Sequence, residues 1–297
     1  MSRYRYKIGQ IGLEYDLGPL NIEEDEFTEG FKIDDFCNFD KVVKYECMLS
    51  DFADKKQKPY IQGNGTFLRY EEDGRTELVY HWDKLRYALA YYPGDIITLQ
   101  KMESLRLPYR IHPRLPQEKP HMDMIRLMDY LGLHAIFLFS GYLLLHASYI
   151  DWHGQGILFT APSQTGKSTQ AELWRQYEDA DIINGDRALI GYHAGAWYTY
   201  GYPECGSSAI SKNVTRPLRA ILVLEQDNEN HLEEMTVGEQ VKALVAATKL
   251  WTWSLDQIDQ AIENASKVIS EVPVVKLKCT PDRRAVMVLK DYLSKSL

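Results

Sequence analysis

Along the 297-residue chain the rhythm of apolar and polar positions changes part-way. Up to about residue 120 the Tyr, Phe and Ile residues fall in short alternating runs, the period of two that marks half-buried strands. At residues 66–82, TFLRYEEDGRTELVYHW, two such runs flank Asp73-Gly74, a pair that tight hairpin turns favour, so a β-hairpin is expected. Pro108, Pro113, Pro116 and Pro120 then crowd LPYRIHPRLPQEKP and oppose regular structure, which places a linker or domain boundary there. Next, Met124, Leu127, Met128 and Leu131 recur at spacings of three and four, the signature of an amphipathic helix. The expected organisation is a β-rich amino-terminal recognition or accessory domain over residues 1–119 and a second domain over residues 120–297.

From Ala135 strands and helices mix. AIFLFSGYLLLHASYID reads as a buried helix or strand followed by a strand, and HGQGILFTA as a second strand reached through a turn at Gly154 and Gly156. TQAELWRQY opens a helix directly afterwards. Strand patterns return at DIINGDRALIGYH, AWYTYG and LRAILVLEQ, and helical ones at GEQVKALVAATKLW, LDQIDQAIENASKVI and DRRAVMVLKDYLSKS. In the second of these helices Leu255, Ile258, Ile262, Ala265 and Ile269 are expected to form the apolar face. Because strands and helices are interspersed without strict alternation, the expected class is α/β with a mixed sheet.

Composition narrows the partners. With 34 Lys plus Arg against 42 Asp plus Glu, the net charge of −8 supplies no general basic face, so neither nucleic acid nor an anionic membrane is an expected partner. The amino terminus has no uninterrupted apolar stretch after its basic residues, and AIFLFSGYLLLHA is broken by Ser140 and Gly141, short of the ~20 residues of a membrane span. A cytoplasmic location is the expectation. Cys37, Cys47, Cys205 and Cys279 are widely spaced without a C-x-x-C pair and read as free thiols of a reducing compartment.

The sharpest chemical signal is APSQTGKST, Ala161 to Thr169, which fits the phosphate-loop pattern except that Ala161 replaces its first glycine. An apolar strand, ILFT, precedes it and a helix follows. In that setting the backbone N–H groups of Ser163, Gln164, Thr165, Gly166, Lys167, Ser168 and Thr169 can converge on phosphate oxygens. Lys167 adds a positive charge, and the Ser168 hydroxyl can hold Mg²⁺. His146 ends an apolar run about twenty positions before Lys167, and Asp186 lies about twenty after it. A carboxylate at a strand tip beside a γ-phosphate can orient an acceptor hydroxyl and take its proton, or contact the metal. The plainer readings are a core histidine and a turn residue within Asn-Gly-Asp.

The order LLLHASYIDWHGQGILFTAPSQTGKSTQAELW followed by INGDRALI resembles the catalytic domain of HPr kinase/phosphorylase and its relatives, over residues from about 135 to 297. The resemblance implies the phosphoenolpyruvate carboxykinase-like nucleotide-binding fold, and it implies that His146, Lys167, Ser168 and Asp186 are catalytic or nucleotide-binding. It also makes Glu204 a candidate metal ligand and a homo-oligomer a possible assembly. This sequence departs from the family at two places: the family's Asp-Asp pair is Gly185-Asp186, and its Glu followed by R-G-x-G is reduced to PECGSSAIS, without the arginine. That second element goes with phosphorylase activity and with the protein substrate HPr, so neither is expected to carry over.

The function expected is therefore an ATP- and Mg²⁺-dependent kinase that phosphorylates a hydroxyl of a peptide, a protein or a small molecule, with Asp186 as base and His146 positioning it or the γ-phosphate. The alternative is a nucleotide-binding regulatory or accessory protein whose catalytic set has decayed, which Gly185 and the missing arginine favour.

Overall fold

In the computed structural model, which describes residues 3–16, 25–35, 41–48, 61–62, 67–72, 75–82, 85–93, 104–110, 123–130, 132–251 and 254–295, the chain divides into two units, Met1–Phe139 and Ser140–Leu297. The first unit begins with β1 (Arg3–Ile8), β2 (Ile11–Asp16) and the short α1 (Glu26–Glu29). It continues with β3 (Lys41–Met48), β4 (Ile61–Gln62), β5 (Phe67–Glu72), β6 (Arg75–Trp82), β7 (Leu85–Pro93) and β8 (Ser104–Arg110), and closes on α2 (Met124–Tyr130) and α3 (Leu133–Phe139). Two four-stranded sheets result, in the orders β1-β2-β3-β8 and β4-β5-β6-β7. Tyr6 and Ile8 alternate with more exposed residues in β1, whereas β2 is buried from Ile11 to Tyr15, with Glu14 among them and paired across to Arg5 at 2.9 Å. The expected hairpin forms between β5 and β6, from Phe67↔Tyr80 to Glu72↔Arg75; Asp73 and Gly74 lie outside the described residues.

The proline stretch differs from the reading above at its start. Leu107–Arg110 belongs to β8, with Pro108 opposite Glu46 in a parallel pairing with β3. Because β8 is an edge strand, a residue that cannot donate to a ladder is tolerated there. Pro113, Pro116 and Pro120 lie outside the described residues. Met124, Leu127 and Met128 of α2 are buried, and of the two readings left open for the apolar run after it, the helix is correct, since every residue of α3 is buried.

The second unit starts with the antiparallel pair β9 (Leu143–Trp152) and β10 (Gln155–Thr160), followed by α4 (Lys167–Glu178), β11 (Asp181–Asn184), β12 (Arg187–His193) and β13 (Ala196–Tyr200). Then come β14 (Thr215–Gln226), β15 (His231–Glu233), α5 (Val237–Ala247), α6 (Leu255–Ile269), β16 (Val274–Cys279) and α7 (Arg283–Lys295). Eight strands form one mixed sheet in the order β10-β9-β12-β13-β14-β16-β15, with β11 beside β9 and β10 also parallel to β14. The mixed α/β class read from the sequence is therefore observed. β9, β10, β14, β13 and β12 consequently close a ring of pairings, which brings the ends of β9 and β10 against the β11–β12 junction. Gly156 lies inside β10, not in the turn, because Thr199 and Tyr149 occupy the space a Cβ would need.

Two helices depart from their sequence patterns. α5 ends at Ala247, four residues earlier than the pattern suggested, since Thr248 bridges to Leu145 and the Lys249 N–H donates to the Leu144 carbonyl at 2.8 Å. In α6 the buried face is Gln257, Ala261, Asn264, Ala265 and Val268, while Leu255 and Ile262 are 75% and 43% exposed. Polar anchors decide this rotation: the Trp251 N–H donates to Gln257 Oε1 at 2.8 Å, and Asn264 Nδ2 donates to the Tyr142 carbonyl at 3.1 Å. Turning the amides outward would strand buried backbone groups, at a cost of about 1–3 kcal/mol each, which offsets what burying two aliphatic side chains would return.

Candidate functional site

β10 delivers the chain to a loop, Ala161 to Gly166, that turns directly into α4. Gly166 stands at the helix N-cap with φ +117°, where an L side chain is strained, and having no side chain it leaves the first-turn N–H groups without a side-chain cap. The helix is anchored by Trp174, fully buried against Trp152 of β9 at a ring distance of 5.2 Å and Phe159 of β10 at 6.4 Å. That packing fixes where the first turn points. Lys167 is buried, and its Nζ donates back to the Ala161 carbonyl at 3.2 Å. Ser163, Gln164, Ser168 and Thr169 are exposed, and Thr165 is half-buried, so the loop presents its polar groups outward. Burial lowers the pKa of Lys167, with the Asp186 carboxylate opposing that effect and the Arg187 guanidinium adding to it.

β11 and β12 are one strand alongside β9, interrupted at Gly185-Asp186: Ile182 pairs with Ile150 before the break and Arg187 with His146 after it. The register with β9 shifts just before the break, between Ile182 and Asn184, a bulge of the kind by which a sheet re-aims the side chains that follow. The Asp186 carbonyl still accepts from the Ala147 N–H at 3.0 Å, while its carboxylate Oδ1 meets His146 Nε2 at 3.0 Å. Thr160 Oγ1 donates to the His146 carbonyl at 3.0 Å, tying the histidine's backbone to the last residue of β10. Burial and the Lys167 cation lower the pKa of His146, outweighing the opposite pull of Asp186, so near pH 7 the imidazole is neutral and can accept a proton.

Asn184 holds the break. Its Oδ1 accepts from the N–H groups of Asp186 (2.9 Å) and Arg187 (2.8 Å), and its Nδ2 donates to the carbonyls of Tyr202 (2.8 Å) and Glu204 (3.0 Å). Arg187 reaches Asp186 Oδ2 at 3.4 Å and Glu204 Oε1 at 3.0 Å, and Lys249 Nζ reaches Glu204 Oε2 at 2.8 Å. Both oxygens of Glu204 thus face cations, and although burial alone would raise its pKa, Lys249 and Arg187 draw it down to about 2. A metal ion on Glu204 would have to displace these two partners. Among the described residues no group of three or more His, Cys, Asp or Glu side chains is arranged to hold a metal ion. Ser208 fills the space where a side chain at position 185 would sit, and Gly206 lies so close to Asp186 that a Cβ there would meet its Cγ at 2.8 Å.

The structure therefore brings His146 and Asp186 into contact, sets Lys167 near enough to both to shift the imidazole, and removes Glu204 to the far side of Arg187. Sequence reasoning missed Asn184, Arg187 and Lys249. The first two flank Asp186 in INGDRALI and were open to view there, but nothing in the sequence joins Lys249 to Glu204. Chemically, the arrangement offers unfilled backbone donors and a cation at one point, and a carboxylate–imidazole pair able to take a proton at another.

Fold and site together define a mixed-sheet α/β protein with a strand–loop–helix turn beside a carboxylate–histidine pair. The chain belongs to the family described as SynChlorMet cassette protein ScmC, which it matches over residues 110–282. No curated protein matches it in sequence. Among solved structures it is similar to the Hpr(Ser) kinase/phosphatase from Coxiella burnetii, at 12% identity and a TM-score of 0.31, over 52% of this chain and 92% of that one.

Proposed function

We propose that the protein is an ATP-dependent kinase that transfers the γ-phosphoryl group to a hydroxyl. The observation that carries this reading is the His146–Asp186 contact at 3.0 Å, set beside a loop whose lysine and first-turn N–H groups suit phosphate oxygens. On this reading the N–H groups from Ser163 to Thr169 cradle the phosphates. Lys167 leaves the Ala161 carbonyl to neutralise them. Asp186 accepts the proton of the attacking hydroxyl, and His146, donating from Nε2 to Oδ1, orients Asp186. Ser168, exposed at the loop's end, fits a Mg²⁺ ion whose remaining ligands are phosphate oxygens and water, which is how this ion is commonly held. The ion would supply charge neutralisation between phosphates. A polar cavity of about 760 Å³ borders the loop at Gln164, Thr165, Gly166 and Thr169 and continues to Asp227, Asn228 and Thr280, with room for a base and ribose.

A mere nucleotide binder needs no proton acceptor, and the four hydrogen bonds of Asn184 that hold Asp186 toward His146 favour the kinase over the regulatory reading. Lys167→Ala is expected to abolish ATP binding in calorimetry. Asp186→Asn should keep ATP binding and lose roughly 10²- to 10⁴-fold in phosphoryl transfer, as removal of a general base does. A folded Lys167→Ala protein of undiminished affinity would refute the loop assignment, and wild-type turnover by Asp186→Asn would refute the base.

A further inference from the structure

We propose that the cavity between the end of β10 and α5 binds the phosphoryl acceptor, and that this acceptor is a free hydroxy acid with a compact apolar body; the inference rests on the kinase reading above. The cavity encloses about 450 Å³, within the range of small-ligand sites. It begins at His146, Thr160 and Ala161, so a molecule in it lies against both the imidazole that bonds Asp186 and the first residue of the loop. The polar cavity meets the same loop through Gln164, Thr165 and Gly166 instead. Two cavities thus border different stretches of the loop, and a donor and an acceptor can occupy them together.

The apolar lining is Val223, Met235 and three small side chains of α5, Ala243, Ala246 and Ala247. It offers no side-chain hydrogen bond, so the part of a ligand that rests on it is apolar. Three charged residues also border the space. Lys276 is held between Glu225 and Glu233 at 3.3 and 3.2 Å. The Glu239 carboxylate accepts from the Thr236 N–H and hydroxyl at 2.8 and 2.7 Å at the start of α5, where the helix dipole offsets its charge. Lys242 is exposed and has no ion pair among the described residues, which leaves it to meet a ligand carboxylate. In the transfer, the acceptor oxygen forms a new bond to the γ-phosphorus, and the bond to the β–γ bridging oxygen breaks with its electron pair leaving on ADP. The hydroxyl proton passes to Asp186. The products are a phosphate monoester and ADP.

The test uses the full chain with Mg²⁺ and ATP and follows ester formation by phosphorus NMR. The probes are β-hydroxyhexanoate and mandelate, with glycerol and an end-blocked serine peptide for contrast. Both hydroxy acids are expected to be phosphorylated at least about tenfold faster than glycerol, the discrimination an apolar pocket can provide. Ala246→Phe, which fills the wall, should raise the KM for β-hydroxyhexanoate about tenfold, and Lys242→Ala about fivefold. Calorimetric ATP binding by both variants shows that they are folded. Transfer to the peptide with none to the hydroxy acids, no ester on either acid despite bound ATP, or an unaltered KM in Ala246→Phe would each overturn the cavity assignment while leaving the nucleotide reading in place. A wild-type protein that binds no ATP overturns the kinase reading, and this inference with it.

Discussion

Asp186 owes its direction to residues that never touch a reacting atom. Asn184 closes the break from inside, Ser148 Oγ donates to the Gly185 carbonyl at 2.8 Å, and His146 and Arg187 divide the two carboxylate oxygens. The lowered pKa of His146 gives this a pH signature. Protonation would turn the neutral imidazole into a cation fixed on Asp186 and weaken the carboxylate as a base. The acid limb of kcat/KM, which reports the free enzyme, is therefore expected to have its midpoint below the ordinary imidazole value of 6.5. The limb belongs to His146, so His146→Gln should displace it. Rate measurements from pH 5 to 8 check this; a wild-type midpoint at or above 6.5 would contradict it. The sign for stability agrees: the unfolded chain takes this proton first, so the stability owed to a neutral His146 is complete above 6.5 and declines as the pH falls below it.

At the scale of elements, α4 and α6 show two ways in which a helix is oriented. α4 follows its aromatic anchor, and Trp174→Ala should cost about 3–5 kcal/mol, measured by urea unfolding, through loss of a fully buried ring. α6 follows its buried amides. Asn264→Ala should cost about 1–3 kcal/mol, because the Tyr142 carbonyl loses its donor, whereas Leu255→Ala should change stability by no more than about 0.5 kcal/mol. The sequence pattern alone orders these two effects the other way, so their ranking distinguishes the two faces.

For the second unit as a whole, Glu204 acts as a clasp. It joins Arg187, at the start of β12, to Lys249, beyond α5, and its own carbonyl is held by Asn184 beside the bulge. The fall of its pKa from 4.5 to about 2 corresponds to about 3 kcal/mol of stability. A carboxyl group with a depressed folded pKa contributes fully above its unfolded value, so this stability is present above pH 4.5 and is lost as the pH falls toward 2. Glu204→Gln is expected to lower stability at pH 7 by about 3 kcal/mol, since it removes the carboxylate that Arg187 and Lys249 share, and to flatten the acid decline. Calorimetric melting from pH 7 down to 3 checks both effects. No helix among the described residues is long and apolar enough to cross a membrane. Cys205 and Cys279 are buried thiols that form no disulfide among the described residues; Cys37 lies outside the described residues.

What the sequence by itself determined is what depends on neighbours along the chain. The β5–β6 hairpin, the β9–β10 pair, the strand–loop–helix around Lys167 and the mixed character of the second unit all follow from local period, turn residues and glycine placement. Local patterns also marked His146 and Asp186 as chemically interesting, because each ends or interrupts an apolar run. Tertiary structure alone decided that these two side chains meet, since their contact spans forty residues and depends on a bulge opposite β9. It likewise decided that Glu204 is a clasp, that α6 turns its amides inward, and that Pro108 lies in an edge strand. In each case the deciding energy is a hydrogen bond or ion pair between distant segments. A buried polar group left without its partner costs about as much as burying an aliphatic side chain returns, and the sequence holds no mark of who that partner will be.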